Sequence, residues 1–278
     1  MYKIIRLVCS LILLSGASGA FAQGNLILYP RRIVFEGAKH IEEINLANTG
    51  KDTATYQISV LEMRMKDDGN FQEIFIPDSA QLFAEPYIRI FPRKVTLGPN
   101  ETQVVKVQLT SGGKMAAGEY RSHLYFRAVQ MQKPKGTEDE GQNAKGISVR
   151  ITPIFGISIP VLVRVGETKA AAQIGQLSLS DRNDAGAILN LTLNRSGNAS
   201  MYGNLLIDYY AKDGARSQRI AEADGVAVYT PNNLRHIRIQ LPVKKGVDYG
   251  TGKIEIHYES SPETKVIRYA EASLSLGS

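Results

Sequence analysis

Between Ile147 and Val165 the chain reads Ile147-Ser148-Val149-Arg150-Ile151-Thr152-Pro153-Ile154-Phe155-Gly156-Ile157-Ser158-Ile159-Pro160-Val161-Leu162-Val163-Arg164-Val165. Every second residue from Ile147 onward is apolar, which is the period of a strand with one covered face. Fully extended, the stretch spans about 60 Å at about 3.3 Å per residue. Typical strands have only about 5 or 6 residues, so this one bends between sheets or projects along an edge. Pro153 cannot donate to a ladder, which favours an edge position. An edge strand of large apolar residues invites aggregation unless another strand is meant to pair there. The competing reading is that the apolar face lines the chain's own core. Apolarity on both faces from Ile157 to Val163 supports that reading for the second half, so a partner-facing role is expected mainly for Ile147 to Phe155.

The rest of the chain keeps the same period. Ile41 to Leu46, Tyr56 to Val60, Val104 to Leu109, His123 to Phe126, Leu189 to Leu193, Leu205 to Tyr209, Ile237 to Leu241 and Lys253 to Tyr258 read as short strands. Asn48-Thr49-Gly50, Asp67-Asp68-Gly69-Asn70 and Gly98-Pro99-Asn100 punctuate the early ones as turns. One turn of helix near Asp78 to Phe83 is the only helical expectation. Lys133 to Gly146 is charged, lacks an apolar period and reads as a flexible loop between two strands. Strands at turn-punctuated spacing predict an all-β protein of packed sandwiches. The pattern breaks across Gly166 to Ala172, and 278 residues exceed what one core usually fills. The expected division is residues 23–166 and 167–278.

Residues 1–22 read as a secretory signal. Lys3 and Arg6 precede the apolar run Leu7 to Leu14, and Ala20-Phe21-Ala22 is a small-x-small cleavage site. The run is shorter than the about 20 residues that a membrane span requires. The chain carries 33 Lys+Arg, 27 Asp+Glu and one cysteine, Cys9. Cleavage before Gln23 removes Lys3, Arg6 and Cys9, which lowers the net charge of +6 by two and leaves no cysteine. The exported chain is expected to fold by packing alone, without disulfides.

Catalysis finds little support. His40, His123, His236 and His257 form no His-x-His or His-x-x-x-His pair, so no metal site is expected. No Gly-x-Ser-x-Gly or phosphate-loop glycine pattern occurs, and no cofactor is implied. The basic residues form no run interleaved with aromatics, which argues against nucleic acid.

Several stretches carry a family resemblance. They are Pro30-Arg31-Arg32-Ile33-Val34-Phe35-Glu36-Gly37, then Ile44 to Asp52, Pro92 to Glu101 and Gly118 to Phe126, followed by a charged loop and the long alternating strand. In order and spacing, residues 25–165 resemble the periplasmic pilus-assembly chaperones of the chaperone–usher family. The resemblance implies two immunoglobulin-like β-sandwich domains set at an angle, periplasmic location, no enzymatic activity and no insertion into a membrane. It implies a pilus subunit lacking one strand as partner, and an outer-membrane usher to which that subunit passes. Val149, Ile151 and Pro153 would fill the subunit's groove, with Ile147 and Phe155 as neighbours. In the family, an Arg and a Lys grip the subunit's C-terminal carboxylate in the interdomain cleft. Arg32 matches the Arg, but Ser158 stands where the Lys is expected. This resembles a divergent branch, with Arg121 on the adjoining strand as candidate substitute. The exposed strand also allows self-association of free chains. A secreted two-sandwich adhesin or structural pilus component is the alternative.

Overall fold

The computed structural model describes residues 26–110, 115–129, 154–183, 186–212, 217–261 and 266–277. Residues 1–22, Lys133 to Gly146 and the expected groove-filling Ile147, Val149, Ile151 and Pro153 lie outside these. The first unit contains β1 (Leu26–Tyr29), β2 (Ile33–Phe35), β3 (Ile41–Asn48), β4 (Ala54–Leu61), β5 (Met63–Met65) and β6 (Phe71–Glu73). It continues through β7 (Ile88–Phe91), β8 (Lys94–Leu97), β9 (Thr102–Leu109), β10 (Gly118–Val129) and β11 (Gly156–Val165). The second unit contains β12 (Ala170–Asn183), β13 (Gly186–Gly197), β14 (Met201–Tyr210), β15 (Ser217–Val228), β16 (Leu234–Leu241), β17 (Gly252–Glu259) and β18 (Arg268–Leu276).

Alternation explains most of these strands. In β14, Met201, Gly203, Leu205, Ile207 and Tyr209 are buried while the residues between them are partly exposed, so one face is held against a core. The first unit packs sheet β1-β3-β9-β7 against sheet β2-β11-β10-β4-β8. Ile44, Leu46, Val105 and Val107 of one sheet belong to the same core as Tyr56, Ile58, Leu124, Phe126 and Val161 of the other. The second unit packs β12-β13-β16 against β15-β14-β17-β18 around Leu189, Leu193, Leu205, Ile207, Ile254 and Ile256. Asn48 explains the early Asn-Thr-Gly turn: its amide donates to the carbonyls of Asp52, Leu97 and Gly98 at 2.8, 3.1 and 3.1 Å.

The expected helical turn at Asp78 to Phe83 does not form. Arg121 N–H donates to the Leu82 carbonyl at 2.8 Å, and Leu82 makes a parallel bridge with Tyr120. The segment instead makes a hydrogen-bonded turn, with Gln81 N–H donating to the Asp78 carbonyl at 3.0 Å and Ala80 at φ 67°, before Leu82 joins that bridge, and a single 3-10 turn follows at Glu85–Tyr87.

Gly166 to Lys169 connects the two units, which meet over a third apolar cluster of Met65, Leu162, Ala227 and Tyr229. Beside it, the Glu119 carboxylate on β10 is buried and accepts from the Ser200 N–H at 3.1 Å, the Ser200 hydroxyl and the Thr230 hydroxyl at 3.1 Å. Arg164 Nε of β11 donates to the same carboxylate at 3.0 Å, and Arg164 Nη2 reaches the Ser200 carbonyl at 3.2 Å. The Glu119 charge is thus compensated from both units. Arg195 braces the receiving loops by donating to the carbonyls of Gly197, Ala199 and Asn232.

The β5–β6 hairpin forms a second bridge. His236 N–H donates to the Asp67 carbonyl at 2.6 Å, and the Phe71 ring lies 5.0 Å from His123 and 6.0 Å from Tyr229. Gly69, at φ +86°, lies so close to Arg235 that a Cβ there would fall 2.3 Å from its guanidinium. Removing the Glu119 carboxylate leaves buried hydroxyl and guanidinium donors without their acceptor, which typically costs about 3–5 kcal/mol. We predict that Glu119→Ala uncouples the units, so that urea unfolding followed by circular dichroism separates into two transitions. A single transition at the wild-type midpoint would contradict this.

Candidate functional site

The site is built where β11 runs out of neighbours. β11 pairs with β10 from Gly156 to Val165, and the Ala128 N–H extends that contact by donating to the Phe155 carbonyl at 3.0 Å. On its other side, β2 pairs in parallel with Val161, Leu162 and Val163 only. Among the described residues no strand lies against that side of Gly156 to Pro160. The cause is local. The first strand of the chain changes sheets at Tyr29-Pro30-Arg31-Arg32, so β1 belongs to one sheet and β2 to the other. Neither is long enough to seal the β11 edge.

The core-side row of β11 follows the same boundary. Ile159, Val161 and Val163 are buried in the first core, whereas Ile157 is 39% exposed and Phe155 52% exposed. The apolar row therefore continues past the point where its own core ends. The sequence expectation that the apolar face from Ile157 to Val163 lines the chain's own core holds from Ile159 onward and fails at Ile157.

Arg32 immediately precedes β2, at the point where the edge opens. Its guanidinium carbon stands 4.6 Å from the Tyr202 ring centroid, and its Nε is buried with no hydrogen-bond partner. It lines a cleft of about 200 Å³ together with Glu36, Arg164, Ser200, Tyr202 and Tyr269. Among the described residues no carboxylate comes within 4.0 Å of Arg32. The neighbouring Arg164, by contrast, is engaged by Glu119 at 3.0 Å and Glu36 at 3.4 Å. A planar guanidinium with an unused donor beside an open strand edge is suited to a carboxylate.

Arg121 is placed differently. It is 2% exposed, its Nη2 donates to the Met63 carbonyl at 3.0 Å, and its guanidinium carbon lies 4.7 Å from the Tyr229 ring centroid. Nε and Nη1 have no partner, and burial pushes the guanidinium pKa down. A ligand can reach Arg32 with the chain as it stands, but reaching Arg121 requires the covering residues to move. Ser158, at the expected lysine position, is exposed on β11.

Two titratable groups flank Arg121 with opposite behaviour. Burial, against the favourable Ser122 hydrogen bond, pushes the Glu62 carboxyl up to about 7. Ser122 Oγ lies 2.5 Å from Glu62 Oε1, and it also accepts from the N–H groups of Ala84 and Glu85. Burial, reinforced by the Arg121 charge, drives the His123 ring down to about 3.

Glu119 and Tyr229 were not among the residues singled out from sequence. A signal for Glu119 existed: Glu119, Arg121 and His123 share the parity opposite to the core-facing Tyr120, Leu124 and Phe126. Polar residues on the outer face of a strand normally meet water, and here the second unit and the β5–β6 hairpin together cover them. Among the described residues no group of three His, Cys, Asp or Glu could hold a metal, and no helix is long and apolar enough to cross a membrane.

No family model and no curated protein matches the chain. Among solved structures it is similar to the CupB2 chaperone of Pseudomonas aeruginosa, at 12% identity and a TM-score of 0.43 over 90% of this chain and 100% of that one. The chaperone DraB of E. coli gives 14% identity and a TM-score of 0.41, covering 90% of this chain and 96% of that one. A chain of the CsuC–CsuE chaperone–tip adhesion subunit pre-assembly complex of Acinetobacter baumannii gives 14% and 0.41, covering 78% of this chain and 91% of that one. At such values the likeness carries no functional argument, and function is read from this chain's own residues.

The raised Glu62 pKa fixes the sign of a pH effect. A carboxyl that holds its proton more tightly when folded stabilises the fold below its ordinary 4.5, and that stability is lost as pH rises towards 7. His123 acts oppositely, with stability present above 6.5 and lost as pH falls towards 3. Glu62→Gln, a mimic of the protonated form, is therefore expected to be more stable than wild type above pH 7, with the gap closing by pH 4.5. A gap that does not change across that range in urea titrations would refute the assignment.

Proposed function

We propose that this chain is a chaperone for a pilus-type subunit whose own sandwich lacks a strand, and that it acts by lending the β11 edge. One observation carries the reading: β11 loses its outer neighbour where Arg32 stands. A segment that paired with Gly156 to Ile159 in the direction of β2 would run its C-terminal end into Arg32. Its ladder groups would meet the bare edge, and its terminal carboxylate would meet the unpaired guanidinium. The row from Phe155 and Ile157 would enter the subunit's groove, and we extend that row to Ile147, Val149, Ile151 and Pro153. Main-chain pairing supplies affinity and the apolar side chains supply register.

We assign the carboxylate anchor to Arg32 and give Arg121 a supporting place behind it, under Tyr229. The reaction is binding without catalysis, carried out in the periplasm after export through residues 1–22. The subunit is then passed to an outer-membrane usher, and in its absence the bare edge pairs with a second copy.

Co-expression with a pilin-type subunit in the periplasm is expected to yield a stable complex. Val149→Asp and Ile151→Asp are expected to abolish it while the free protein keeps its unfolding midpoint. Unfolding of the free variants would place these residues in the chain's own core. Arg32→Ala should weaken capture by about 10- to 100-fold, the equivalent of one charge-assisted hydrogen bond of about 1.5–3 kcal/mol. Unchanged capture would remove Arg32 from the anchor. A subunit equally soluble with and without the chain would sink the chaperone reading.

A further inference from the structure

The first unit repeats its edge construction at the opposite side of the sandwich. Tyr29-Pro30-Arg31-Arg32-Ile33-Val34-Phe35 is matched by Phe91-Pro92-Arg93-Lys94-Val95-Thr96-Leu97: aromatic, Pro, Arg, basic, then a strand. In both, the third and fifth residues after the proline (Ile33 and Phe35, Val95 and Leu97) are buried in the same core. In both, the chain crosses from the sheet of β3 and β9 to the sheet of β10 and β4. The consequence is also repeated. β8 pairs with β4 over Ala54 to Gln57 only, and the Ile58 N–H ends the contact by donating to the Arg93 carbonyl at 2.8 Å. Beyond it, Ser59, Val60 and Leu61 have β10 on one side and, among the described residues, no strand on the other. Two residues on from Ile58, the Val60 N–H points the same way, towards the bare side.

A cleft of about 510 Å³ opens there, between Ile58, Ser59 and Val60 of β4 and Ile88 to Ile90 of β7. This is within the size range of ligand sites. The cleft is electrically polarised along β4. Arg93 lies at its Ile58 end, Arg89 of β7 also lines it with Nη1 donating to the Ile88 carbonyl at 2.9 Å, and among the described residues neither arginine has an ion-pair partner. Glu85 is the acidic residue of the lining, and its charge is felt by Glu62 at the Leu61 end.

We infer that this second bare edge binds the C-terminal end of an extended peptide chain, antiparallel to β4, with its terminal carboxylate at Arg93. Direction follows from two constraints. A segment on the bare edge lies in line with β8 and meets Arg93 where β8 begins, so a chain arriving there must end or turn away. The opposite orientation would set an ammonium or an incoming chain against Arg93 and leave the carboxylate at the end where Glu85 and Glu62 lie. The open stretch of three residues covers about 10 Å, enough for a tail but not for a full strand. This site is separate from the β11 edge and does not depend on the subunit-binding reading.

The test uses the isotope-labelled protein and two probes, acetyl-Thr-Val-Thr-Val-Thr as the free acid and as its C-terminal amide. Amide shifts are followed by NMR. The free acid is expected to shift Ser59, Val60 and Ile90, and to bind at least tenfold more tightly than the amide. Arg93→Ala should erase that preference while leaving the unfolding midpoint unchanged, and Arg32→Ala should leave the preference intact. Equal binding of acid and amide, or no binding of either at millimolar concentration, would overturn the inference. Shifts confined to Gly156 to Val161, with the preference lost in Arg32→Ala instead, would also overturn it and leave the β11 reading standing.

Discussion

A strand that serves two sheets cannot seal the edge of either. That constraint organises the first unit. At Pro30 the chain leaves the sheet of β3 and joins the sheet of β10, so β2 has three residues where β11 has ten. The shortfall leaves ladder donors and acceptors without partners, a condition that folded proteins normally prevent at edges. It also fixes the side chain that stands at the boundary. Extending β2 backwards to close the gap would draw Arg32 into the ladder and away from the cleft. Bare edge and free cation are two results of one crossing.

Three arginines meet near this boundary, and burial and pairing set them apart. Arg164 is saturated by two carboxylates and a carbonyl. Arg121 is sealed beneath the hairpin and Tyr229, where a carbonyl and a ring face substitute in part for water. Arg32 alone of the three lines an open cleft and, among the described residues, has no ion-pair partner. The residue type is the same in all three; sequence set Arg32 ahead of Arg121 by its neighbours alone, and could not show how burial separates them.

Legibility divides along the same line. Strands with one face on a core and one in water, such as β3, β4, β9, β14 and β17, are marked by alternation and lie where that alternation places them. β10 runs well beyond the His123 to Phe126 that alternation marks, because its polar face is buried under the hairpin and the other unit and its period is masked. β12 begins at Ala170, inside the stretch read as a break, and its register shifts twice where Gln176 and Asp181 take positive φ. The β5–β6 hairpin has three-residue strands and owes its place to contacts with residues far along the chain. Arg32 could be found from its neighbours in sequence. The pairings of Tyr202 with Arg32 and of Tyr229 with Arg121 could not, because they cross the domain boundary.

The Arg32–Tyr202 stack joins a cation of one unit to a ring of the other. A free arginine side chain has about 2 kcal/mol of rotamer entropy to lose on capture. Holding the guanidinium over a ring takes away much of that freedom beforehand. The restraint exists only where the two sandwiches have docked. In the anchor role proposed for Arg32, docking of the two sandwiches thus sets the readiness of a single side chain.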